Sequence, residues 1–125
     1  MATNLGVLSR PQVYAALRHA AALFLPTLVE SYGLIYLEAM ACRTPILTSE
    51  RDFSRRMCGD LAVYFDPLDA VSIADAIERL VQSGASRLDE AAVAANLSKF
   101  PSDWPDVASR FARHMLQPRS FEDKG

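Results

Sequence analysis

Three runs of apolar residues interrupt an otherwise mixed chain: Ala21-Ala22-Leu23-Phe24-Leu25, which stops at Pro26, then Pro45-Ile46-Leu47-Thr48, then Ala62-Val63-Tyr64-Phe65. Runs that are continuous rather than alternating mark strands covered on both faces, as in a parallel sheet. Around them the spacing turns helical. Ser9-Arg10-Pro11-Gln12 supplies an N-cap residue with Pro in the first turn, and Val13, Leu17 and Ala20 recur at helical intervals. Residues 52–58 read as a short polar helix. Asp69 caps an amphipathic helix whose stripe is Ile73, Ala76, Ile77, Leu80 and Val81, with Gly84 as its stop. Beyond Gly84 the pattern is all helical: an Ala-rich segment over 86–98, a break at Pro101 and a last helix over about 105–116. This alternation predicts an α/β fold, a partial Rossmann-like domain with a short parallel sheet flanked by helices and closed by C-terminal helices. Residues 1–117 read as one unit without repeat or linker, and 118–125 as a frayed tail. Leu5-Gly6-Val7-Leu8 resembles the end of an earlier strand and its turn, so the chain is expected to begin inside a sheet, as a fragment does.

Composition narrows the field by exclusion. The 125 residues are 50% hydrophobic, enough for a packed core. Thirteen Lys and Arg face fifteen Asp and Glu for a net charge of -2, and the basic residues are scattered, so no nucleic-acid partner is expected. The first residues lack a positive cluster followed by an apolar run, and no apolar stretch approaches the roughly 20 residues that span a bilayer. A cytoplasmic location is the expectation. Cys42 and Cys58 stand without a CxxC pattern, as buried or near-surface thiols rather than a metal or disulfide framework.

The helix between the first two strands is unusual. Tyr32-Gly33-Leu34-Ile35-Tyr36-Leu37-Glu38-Ala39-Met40-Ala41-Cys42 is apolar on every face except at Glu38, the pattern of a helix buried between layers. Leu34, Leu37, Glu38 and Ala41 share a face, which sets the carboxylate among aliphatic residues. Such a group needs a donor, internal or from a ligand, because burying even a neutral polar group without one costs roughly 1–3 kcal/mol. Upstream, residues 26–31 turn from a strand's carboxyl end into this helix, the end of an α/β sheet where ligands sit. There the N–H groups around Tyr32, Gly33 and Leu34 lack helical partners and face an anion or sugar oxygens, with Gly33 allowing close approach. Glu30 stands at the mouth of the same crevice.

Glu30 to Cys42, followed by Thr44-Pro45-Ile46, resembles the E-x7-E signature of retaining glycosyltransferases with two Rossmann-like domains. Val63-Tyr64-Phe65-Asp66-Pro67 and the later helices resemble that family in order, over about residues 5–116. The resemblance implies that Glu30 contacts the donor sugar near the reaction centre as the catalytic residue. It implies too that Glu38 holds the nucleotide ribose, and that Ser31, Tyr32, Gly33 and Leu34 complete the donor site. The partners it implies are a nucleotide diphosphate sugar donor, a saccharide or lipid-linked acceptor and an N-terminal domain not included here, with peripheral membrane contact open. No bound metal or cofactor is implied, and no Asp-x-Asp motif is present, so leaving-group charge falls to cationic side chains and helix starts. The expected activity is hexosyl transfer with retention by a parent enzyme, this chain alone being inactive. The competing reading is a non-catalytic half-domain remnant that packs against another chain.

Two departures from the family favour that competitor. Arg43 stands where the family has Gly at a helix end; if the backbone there keeps positive φ, Arg costs on the order of 1 kcal/mol. Arg56 stands near a position where the family commonly has Glu. Arg51, Arg55 and Arg56 otherwise read as a solvated helix face, His19 and His114 as isolated, and Trp104 as a packing anchor for the final helix.

Overall fold

A computed structural model describes residues 1–116 of the chain, with side chains to residue 113; the tail at 118–125 and the His114 side chain lie outside the described residues. The elements run α1 (Arg10–His19), β1 (Leu23–Leu25), α2 (Leu34–Ala41), β2 (Ile46–Ser49), α3 (Asp52–Cys58), β3 (Ala62–Phe65), α4 (Ala70–Gln82), α5 (Glu90–Leu97) and α6 (Trp104–Leu116). The strands form one parallel sheet in the order β1-β2-β3, with Leu23 opposite Ile46 and Ile46 opposite Ala62. The expected α/β fold is therefore observed, with its strands side by side in chain order.

Local chemistry sets the element boundaries. Ser9 caps α1 while the Gln12 side chain accepts from the Ser9 N–H at 2.8 Å. Asp69 caps α4 by accepting from the Val71 N–H at 2.9 Å, and Gly84 turns away from its end at φ 79°. The Ser54 hydroxyl, fully buried, donates to the Ser49 carbonyl at 2.6 Å and accepts from the Arg51 N–H at 3.2 Å, which ties the end of β2 to the start of α3.

The core splits across the sheet. On one face Tyr36, Ala39 and Met40 of α2 pack with Ile46, Met57 and Cys58, and α5 adds Val93. On the other, α4 lays Ala76 over Leu47 and Phe65. All four residues of β2 are buried, as a central strand requires. At the edge, β1 does not meet the expectation of cover on both faces: Phe24 stacks on Phe65 with ring centroids 5.2 Å apart yet stays 45% exposed, because α4 lies over β3 and stops short of it.

Three further expectations are corrected. Residues 5–8 form no strand: the Asn4 side chain takes the Gly6 N–H at 2.8 Å in a local turn, and Leu5 and Val7 are exposed. Trp104 is no packing anchor; as the first residue of α6, held at its start by Asp103 and Asp106 rather than by its own ring, it is 83% exposed. Nor is α2 buried all round. Its core face is Tyr36, Ala39 and Met40, whereas Leu34 and Ala41 are exposed and Leu37 and Glu38 between them are partly covered, with Arg10 of α1 facing the carboxylate.

Candidate functional site

Every strand points its carboxyl end toward the segment that joins β1 to α2. That segment ends at Gly33, the cap of α2, with φ 77°. A Cβ there would lie 2.7 Å from the Tyr36 ring, so both the backbone conformation and the space demand glycine. Tyr36 is held in turn: its hydroxyl shares a 2.7 Å hydrogen bond with Thr48, and Thr48 donates to the Leu25 carbonyl at 3.2 Å. Burial holds the Tyr36 phenol above its ordinary pKa, so it remains a neutral hydroxyl. Three elements thus fix the position of the turn.

The turn leaves donors unused. The Ser31 N–H bonds the Glu30 carboxylate at 2.9 Å and the Tyr36 N–H bonds the Gly33 carbonyl at 3.0 Å. Between them the N–H groups of Tyr32, Gly33, Leu34 and Ile35 meet no acceptor among the described residues. They stand at the positive end of α2.

Glu30, Ser31 and Tyr32 line one pocket of about 280 Å³ together with Phe53, Arg56 and Met57 of α3 and with Phe100. Tyr32 and Leu34 also border a wider apolar hollow with Pro101, Trp104 and Val107. Glu38 belongs to neither. One turn further along α2, with 17% of its side chain exposed, its carboxylate faces the Arg10 guanidinium at 3.9 Å, beyond hydrogen-bond distance. The structure therefore gathers Glu30, Ser31 and Tyr32 around one space, keeps Gly33 buried behind it, and sets Glu38 apart, largely covered, beside Arg10 of α1.

The arginines of α3 divide in role. Arg55 is not merely solvated: it grips Glu50 through two hydrogen bonds of 2.5 and 2.6 Å and lies 3.7 Å over the Tyr64 ring. Its hydrogen bond holds the Glu50 carboxyl below the usual carboxylate range. Arg56 is exposed, makes no ion pair among the described residues, and borders the pocket of Glu30. The pocket walls Phe53, Met57 and Phe100 were not expected from sequence; the one signal was two aromatic residues at element boundaries, beside Asp52 and before Pro101. Among the described residues no cluster of three or more His, Cys, Asp or Glu could hold a metal ion, and no helix is long and apolar enough to cross a membrane.

A parallel sheet with a carboxylate, unpaired amides and a pocket gathered at its carboxyl edge defines an α/β domain of the Rossmann-like kind. The chain belongs to the glycosyl transferases group 1 family, whose model matches residues 3–96. It is 36% identical over 95 residues to a D-inositol 3-phosphate glycosyltransferase of Pseudarthrobacter chlorophenolicus, covering 74% of this chain and 23% of that protein. Over 86 residues it is 33% identical to a phosphatidyl-myo-inositol mannosyltransferase of Mycobacterium leprae, covering 67% of this chain and 23% of the relative. A glycogen synthase of Mycobacterium tuberculosis is 29% identical over 119 residues, 94% of this chain and 29% of its own length. The chain spans about a quarter of the length of these relatives.

Proposed function

We propose that this chain forms the donor-binding part of a hexosyltransferase that moves a sugar from a nucleotide diphosphate to a saccharide or lipid-linked acceptor with retention at the anomeric carbon. The observation that carries the reading is the run of unpaired amides from Tyr32 to Ile35 beside the Glu30 pocket, in a chain of the glycosyl transferases group 1 family. In this reading Glu30 accepts hydrogen bonds from the donor sugar, and Ser31 to Leu34 present the helix start to the diphosphate. As the bond from the anomeric carbon to phosphate breaks and the bond to the acceptor oxygen forms, negative charge collects on the departing diphosphate, which takes the acceptor hydroxyl's proton and is stabilised by fixed N–H dipoles. Glu38, one turn further along α2 beside Arg10, would take the ribose hydroxyls. The relatives' names span inositol phosphate, phosphatidyl-inositol and glycogen, which accords with a saccharide or lipid-linked acceptor without choosing between them.

The rival, a remnant that binds no donor, rested partly on Arg43. That residue does take positive φ, 55°, but its guanidinium donates to the Leu88 carbonyl at 2.7 Å and lies 3.5 Å from Glu90. The strain is offset by contacts that glycine could not make. Calorimetric titration of nucleotide sugars into the whole protein decides between the readings. Saturable binding that weakens in Glu38→Gln supports the donor site, and absence of binding to any nucleotide sugar supports the remnant. The 125-residue chain by itself is expected to show no transfer, since one donor-side domain cannot close around an acceptor.

A further inference from the structure

Arg56 is an exposed charge without an ion pair among the described residues, and it stands at the edge of the Glu30 pocket. Its neighbour Arg55 is taken by Glu50 and Tyr64, whereas Arg56 has no carboxylate within ion-pair distance among the described residues, although Glu30 lines the same pocket. A guanidinium and a carboxylate bordering about 280 Å³ without touching leave room for a ligand between them. The volume lies just under the range of ~300–1,000 Å³ typical of small-molecule sites, which suits a single sugar ring rather than a nucleotide. Phe53 and Phe100 offer apolar walls to the C–H face of such a ring. With the amides at the start of α2 assigned to the diphosphate in the proposed function, the fork of Arg56 is left for an anion on the sugar itself.

We infer that the pocket selects a hexose bearing its own carboxylate, a hexuronosyl donor, with the sugar hydroxyls directed to Glu30 and the sugar carboxylate to Arg56. This rests on the reading of Glu30 as a donor-sugar residue. The planar guanidinium matches a carboxylate with two parallel hydrogen bonds. It also offsets the charge of Glu30, which would otherwise repel an acidic sugar across the pocket.

The pocket lies within the described residues of this chain, so the test needs no second domain. Methyl α-D-glucuronoside and methyl α-D-glucoside are titrated separately into the isotope-labelled chain, with the amides of Ser31 and Tyr32 and the Arg56 guanidinium followed by NMR. The glucuronoside should bind about five- to tenfold more tightly, as one partly solvated charge-assisted contact allows. The preference should shrink with added salt and disappear in Arg56→Gln. Arg56→Glu should reverse it. Equal affinity for the two sugars with shifts at Ser31 overturns the uronate inference and leaves the sugar pocket standing. An Arg56 that answers to inorganic pyrophosphate but not to the glucuronoside overturns it in favour of a phosphate contact. No response at Ser31 or Tyr32 to either sugar overturns the sugar pocket and the inference together.

Discussion

The two ends of the sheet are built on opposite principles. At the amino ends of the strands the buried polar side chains of the described residues are answered. The Thr44 hydroxyl, fully buried, donates to the Leu17 carbonyl at 2.7 Å and accepts from Arg87 at 3.2 Å. Arg87 also reaches the Arg18 carbonyl, so one side chain closes the last turn of α1. Arg43 and Leu88 exchange two further bonds, of 2.7 and 2.9 Å. At the carboxyl ends the same chain leaves four successive amides and a guanidinium without partners. One end commits its polar groups to holding helices together, and the other, beyond the bonds of Tyr36, Thr48 and Ser54, leaves amides and Arg56 free for something outside the chain. Stability and binding are thus separated in space.

Substitutions can test that separation. The largest effect belongs to the open end: in the whole protein Glu30→Ala should lower kcat by about 100-fold, with a smaller change in donor affinity. Equal losses in rate and affinity would assign Glu30 to binding alone. At the closed end Thr44→Val should lower unfolding free energy by about 1–3 kcal/mol in urea titration, because it removes a buried donor while its partners stay. It should leave sugar binding by the folded fraction intact; a selective loss of binding would mean that the two ends are coupled. Next comes pH. Burial pushes the Cys58 thiol up to about 12 from its ordinary value of 9.0. The folded state therefore keeps a proton that the unfolded chain releases above pH 9, and stability should be full below that pH and fall between pH 9 and 12. Burial raises Tyr36 and Tyr64 in the same direction. A Cys58→Ala variant with an unaltered alkaline slope would remove the thiol from this account. The smallest effect is at Arg43. Arg43→Ala loses the clamp and keeps the strained φ, and should destabilise by about 1 kcal/mol. Arg43→Gly relieves the strain and should be the milder of the two in the same denaturation assay.

The three strands, the caps at Ser9 and Asp69 and the stop at Gly84 were legible because each depends on residues close in sequence. The turn around Gly33 was legible for the same reason. The orientation of α2 was not. Because nearly all its residues are apolar, periodicity cannot say which face meets the core, and the choice falls to Thr48, which hydrogen-bonds Tyr36 and rotates that face inward. Glu38 falls beside that face, largely covered and facing Arg10 of α1. The clamps at Arg43 and Arg87 join positions more than forty residues apart, beyond the reach of any local pattern. Trp104 misled because aromatic size and flanking prolines promise packing, whereas the acids beside it fix the helix start without the ring.

Trp104 is also the chain's sole tryptophan, and its exposure has a spectroscopic consequence. An indole already bathed in water emits much as it does in a denatured chain, so intrinsic fluorescence will register little when the core melts. Circular dichroism is the sounder monitor for the denaturation experiments. The same insensitivity makes the fluorophore a clean reporter of coverage. It borders the hollow shared with Tyr32 and Leu34, so a blue shift at constant ellipticity signals that a surface has settled over that hollow, with no contribution from unfolding.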